Sequence, residues 1–153
     1  MSNPTPTPLD GAQAAQDALV GTICHDLDTV TNAVATLVSQ GAASVYGALS
    51  GWASVAAEFM IGKEEGMHWY IEVVNEKTGQ QVNIDDTGLP PAYRDAFRMI
   101  TAFKNDDHDM IMALFKPYWE KESDDLLHLI KAMLELAATA ARHHMDTRHG
   151  EQN

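Results

Sequence analysis

From Thr29 to Ala57 the chain carries no charged residue. An uncharged stretch of that length must either cross a membrane or be covered by protein, since extended apolar surface is not left bare in water. Its polar residues argue against a span. Thr29, Thr31, Asn32, Thr36, Ser39, Gln40, Ser44, Ser50 and Ser54 interrupt it, and Gly41 divides it. Its flanks are Asp26, Asp28 and Glu58, not the basic residues that orient a spanning helix. The run therefore predicts buried helix surface and no membrane association.

Periodicity divides the chain into helices. Leu19, Ile23, Leu27, Val30, Val34 and Leu37 form one stripe over about 10–40, with Gly21 a weak point and Gly41 a stop. Val45, Leu49, Trp52, Ala56 and Phe59 form a second, widened by Tyr46, Ala53 and Met60 and ended by Gly62. Residues 67–85 alternate instead, with Trp69, Ile71 and Val73 on one face and Gly79 in the turn, which predicts a β-hairpin. Pro90-Pro91 opens a third helix, with Tyr93, Phe97, Ile100 and Phe103 on one face. Asn105-Asp-Asp107 caps a short fourth with Met110, Ile111, Leu114 and Phe115, closed by Pro117. Ser123 caps a fifth, which turns Leu126, Ile130, Met133, Ala137 and Ala140 inward and ends in cations, Arg142 among them, that suit its dipole. The expected fold is mainly α: about five helices in a bundle with one β-hairpin inserted at 67–85. A single domain over 9–148 is expected between flexible ends, 1–8 and 149–153.

Charge narrows the partners. Acids outnumber bases 22 to 10, a net charge of −12, which disfavours nucleic-acid backbones and anionic membranes as direct ligands. One cysteine, Cys24, excludes an internal disulfide and a cysteine zinc cage. The first nine residues contain neither the basic nor the apolar part of a signal peptide, so a cytoplasmic location is expected.

Three clusters invite chemistry. Glu65-Gly-Met-His68 and Asp125-Leu-Leu-His128 each place an acid three residues before a histidine, the spacing of carboxylate–histidine metal bundles. However, Glu65 lies between Gly62 and Gly66, and His128 shares the polar face of its helix with Asp124, Lys131 and Glu135. A solvated pair of Asp124 with His128 is the simpler account. Cys24-His25 resembles a nucleophile beside a base, but adjacent helical residues point about 100° apart. The expectation is a half-buried thiol beside a surface His25–Asp28 pair. Asp106-Asp-His-Asp109 lacks the spacing, glycine and terminal glutamate of a calcium loop. No cofactor and no catalytic residue is assigned.

Two features exceed background. Gly47 and Gly51 allow close approach, so Val45, Gly47, Leu49, Gly51, Trp52, Ala53, Ala56 and Phe59 make either a homodimer seam or the centre of the monomer's own bundle. Residues 106–125 hold seven acids against Lys116 and Lys121. There Asp106, Asp107, Asp109, Glu120, Glu122 and Asp124, with Trp119 beside them, offer a surface to a basic protein partner.

Phe97, Thr101-Ala-Phe103, Asn105-Asp-Asp107 and Ala113-Leu-Phe115, with Asp26-Leu-Asp28 and Tyr46-Gly-Ala-Leu49, resemble a pattern in uncharacterised small helical proteins of actinobacteria and their phages. The resemblance covers about half the chain and implies a phage or mobile-element setting, with no activity attached. The function expected is that of a non-enzymatic, acidic interaction or adaptor protein acting as a homodimer. A metal-dependent enzyme of carboxylate/histidine type and an acidic antagonist of a DNA-binding protein are its rivals.

Overall fold

The computed structural model describes residues 8–60, 73–74, 81–82, 90–121 and 124–151. Six helices are found among the described residues: α1 (Pro8–Ile23), α2 (Leu27–Gln40), α3 (Ala42–Met60), α4 (Pro91–Lys104), α5 (His108–Glu120) and α6 (Asp125–Glu151). They form an all-helical bundle, which corrects the expected fold class. In place of the β-hairpin over 67–85, the described residues there are only β1 (Val73–Val74) and β2 (Gln81–Val82), with Val73 opposite Val82. Two residues on a side do not make a sheet layer, and an isolated ladder contributes little in water. The remainder of that stretch lies outside the described residues, as do Ser123 and Glu122.

Six helices replace five because the first expected helix is two. The break falls at Cys24-His25-Asp26 rather than at Gly21, with His25 in the left-handed region at φ 57°. Asp26 then caps α2: its carboxylate accepts from the Thr29 amide at 3.3 Å and the Thr29 hydroxyl at 2.6 Å. Those bonds, the hydroxyl's first, hold the Asp26 carboxyl below its ordinary range. Gly21 serves the crossing. A Cβ there would lie 2.9 Å from Val30 Cγ2, so α2 folds back across a site only glycine leaves open.

The break also takes one residue out of the stripe, while Val30, Val34 and Leu37 keep their place against the core. Leu27, expected inward, is 75% exposed, whereas Ala33 and Leu37 are buried. Gly41 alone joins α2 to α3, at φ 108°, a conformation that side chains resist.

Helix α3 is the centre. It packs on α1, α2, α4 and α6, and buries Val45, Ala48, Leu49, Trp52, Ala53, Ala56 and Ala57. The Trp52 indole donates to the Ala15 carbonyl of α1 at 3.0 Å, so its polar atom is satisfied inside the core. Helix α6 closes the other side with Leu126, Ile130, Met133, Ala137 and Ala140 inward, as its periodicity predicts. In α4 the buried set is Ala96, Met99, Ile100 and Ala102, while Tyr93, Phe97 and Phe103 are only half-buried. The small face lets α4 lie close, and the larger rings sit at its edge. Pro117 does not close α5, which continues to Glu120 and ends with the Lys121 amide donating to the Pro117 carbonyl.

One long-range contact ties the ends of the bundle together. Arg142 of α6 donates to the Thr22 carbonyl at 2.7 Å and the Ile23 carbonyl at 3.3 Å. Helix α1 has no basic residue in its last turn. A guanidinium from another helix satisfies its orphan carbonyls and faces the negative end of its dipole.

Candidate functional site

Most of the expected self-association set is committed to the monomer. Val45, Leu49, Trp52, Ala53 and Ala56 are each at most 2% exposed, because α3 lies between four other helices. Of the two readings of the uncharged run, that face of α3 takes the intramolecular one. Gly47 and Gly51 are on the outer face, and a Cβ at either would meet nothing within 4 Å. They remain accessible to a second molecule. The Phe59 side chain lies outside the described residues.

The expected partner surface is exposed, and part of its charge already serves the fold. Asp107 caps α5 by accepting from the Met110 amide at 3.1 Å. Asp106 sits in the left-handed region at φ 60° with its carboxylate 3.4 Å from His108 Nε2. Asp109, Glu120 and Asp124 are exposed, and Glu120 lies 3.8 Å from Lys116. Trp119 is half-buried, stacked on Phe115 with ring centroids 6.2 Å apart, and Phe115 meets Tyr46 edge-on at 5.5 Å. Trp119 therefore joins the acidic face to the core through two rings.

The paired acid–histidine motifs do not meet among the described residues. Glu65 and His68 lie outside them, and no three His, Cys, Asp or Glu side chains converge within them. Asp125 and His128 are exposed and line a cavity of about 700 Å³ between α4, α5 and α6. In that cavity the Tyr118 hydroxyl donates to Asp95 Oδ2 at 2.5 Å, and the Tyr93 hydroxyl donates to Glu135. Burial and then the Asp95 bond push the Tyr118 phenol well above its ordinary range.

This shift has a testable sign. A raised phenol keeps its proton in the folded state after the unfolded chain has lost it. The stabilisation is complete below the unfolded value near 10 and is lost as pH rises from there through the higher folded value. Absorbance titration should show a late phase of phenol ionisation, and Tyr118→Phe should remove that contribution. The same substitution should cost about 1 kcal/mol at pH 7, read by urea melts, because Asp95 Oδ2 loses the Tyr118 donor while Oδ1 keeps Arg98.

Cys24 and His25 form no dyad. Both are exposed in the α1–α2 break, so the thiol is not half-buried as expected. The helix that would have shielded it ends at Ile23.

A site that periodicity does not disclose lies alongside. An open groove of about 830 Å³ runs between α2 and α6, floored by Gly21 and Thr22 of α1. Val30, Val34 and Val38 of α2 face Leu127, Ile130 and Leu134 of α6 across it. Its apolar rim is bare: Leu27 is 75%, Leu127 48% and Val38 36% exposed. Among the described residues, Lys131 and Glu135 are its only charged lining residues, and Glu135 is engaged by Tyr93. The signal in the sequence is the absence of charge from Thr29 to Gln40, which leaves α2 beyond Asp28 uncharged on every face, including the one its neighbours do not cover.

The class these features define is an acidic helical bundle with an open apolar groove; no described helix is long and apolar enough to cross a membrane. Compared with family models, curated proteins and solved structures, the chain matches none.

Proposed function

We propose that the protein is a non-enzymatic interaction protein of the cytoplasm that self-associates and presents an acidic face to a basic protein partner. The groove between α2 and α6 is the observation that supports this. Contiguous bare apolar surface marks an interaction site, because leaving it in water is unfavourable in proportion to its area. The exposed acids of α5 and its flanks add steering toward a cationic partner and suppress wrong ones by like-charge repulsion.

Native mass spectrometry of the tag-free chain tests this reading. The expected species is a metal-free oligomer. A monomer carrying one or two metal ions per chain would overturn it in favour of carboxylate–histidine chemistry, with His128 the first residue to replace.

A further inference from the structure

We propose that the α2–α6 groove is filled by α2 of a second copy of this chain, closing a two-fold dimer. This rests on the self-association proposed above and names its contact surface.

Three observations point to a second copy as the occupant. The first is charge. Two molecules of net charge −12 repel wherever their acids face each other. After Asp28, α2 has no charge as far as Gln40, so its outer surface can meet its own image without that repulsion.

The second is self-complementarity. A two-fold interface uses the same patch on both subunits, so the patch must contain both a receiving surface and the element received. Here α2 is both. It walls the groove with Val30 and Val34, and it carries Leu27 and Val38 as bare apolar side chains. Helix α2 has 14 residues, a length of about 21 Å at 1.5 Å per residue, and the groove follows it from Leu27 to Ser39. A second α2 laid along that wall would dock in the helix-in-groove mode of recognition.

The third is the match of the few charges present. Asp28 is the one charged residue of α2, and among the described residues Lys131 is the one lysine or arginine lining the groove. An incoming α2 brings a single carboxylate to a groove that holds one ammonium and one carboxylate, and that carboxylate, Glu135, already accepts from the Tyr93 hydroxyl, which leaves Lys131 as the charge Asp28 complements.

Sedimentation velocity across a concentration series tests the contact. Leu27→Glu and Leu127→Glu place a charge on each wall at exposed positions, so folding, checked by circular dichroism, should persist. Each should weaken the dimer at least about a hundredfold, the scale expected when a central apolar anchor is replaced by a charge. Met112→Glu on α5, at a residue 46% exposed, and Gly51→Glu on the open face of α3 should leave the dimer intact. A dimer that survives both groove substitutions overturns the inference, and loss of the dimer in Gly51→Glu or Met112→Glu alone would place the seam on α3 or α5. In either case self-association itself would stand. A wild-type chain that stays monomeric throughout the series overturns both.

Discussion

Trp52→Ala is expected to cost about 3–5 kcal/mol, the range for removing a large aromatic from a packed core. Trp52 is 2% exposed, lies where α1 and α3 cross, and has its indole nitrogen bonded to the Ala15 carbonyl. The substitution therefore opens a cavity and also removes the indole's bond to the Ala15 carbonyl, which keeps its donor within α1. Small domains have about 5–15 kcal/mol of net stability, so the variant should melt at much lower urea and populate unfolded chains near physiological temperature. Trp52→Phe retains most of the volume and loses the hydrogen bond, and should fall well short of the alanine variant. Urea denaturation of the pair separates packing from bonding. Equal losses in the two would contradict the assigned contact.

Gly21→Ala should destabilise even though alanine favours a helix over glycine by about 1 kcal/mol. An added Cβ would stand 2.9 Å from Val30 Cγ2 and 3.3 Å from the Asp26 carbonyl oxygen. The second neighbour is backbone at the start of α2, so relief requires α2 to move away from α1. Overpacking of this kind costs about 1–3 kcal/mol. Thermal melts of Gly21→Ala, Val30→Ala and the double variant check the cause. The double variant should be more stable than the sum of the single losses, because trimming Val30 clears the space the new methyl needs. Strict additivity would place the strain elsewhere.

These residues show what the sequence made legible. The stripe of α6 reads correctly because nothing interrupts it. In α4 the face reads correctly in part: Ile100 is buried and Tyr93 and Phe103 pack at the core's edge, whereas close helix packing also buries Ala96 and Ala102, which their small size kept from notice. The stripe from Leu19 to Leu37 looks continuous because its spacing survives the turn at 24–26. The turn changes direction without spoiling the count, so Leu27 keeps its place in the pattern and loses its cover. The alternation over 67–85 reads as a hairpin because β-branched residues dominate it, yet the described pairing extends over two residues a side.

Of the candidate site, the uncharged run was visible as an anomaly, and its division was not. Burial of Val45, Leu49, Trp52, Ala53 and Ala56 inside the monomer follows from α3 having four helical neighbours. Openness of the α2 face follows from α2 and α6 both leaning on α1 and leaving a gap above it. Neighbour number and spacing are properties of the assembled bundle, and no residue encodes them alone. Arg142 makes the same point. Its charge is expected to suit the dipole at the end of its own helix, but α6 continues to Glu151 and the bonds of Arg142 are made to Thr22 and Ile23 of α1.

The position of α6 in the chain bears on how the protein is made. Helices α1, α3 and α4 all rest on it, and Arg142 reaches back to carbonyls 120 and 119 residues away. A ribosome adding about 5–20 residues each second needs several seconds to pass from the end of α3 to the end of the α6 core. During that interval the nascent N-terminal helices hold Leu49 and Ala56 without the wall that later covers them. Burial of α3 therefore awaits late translation, and until then the unfinished chain exposes apolar helix surface.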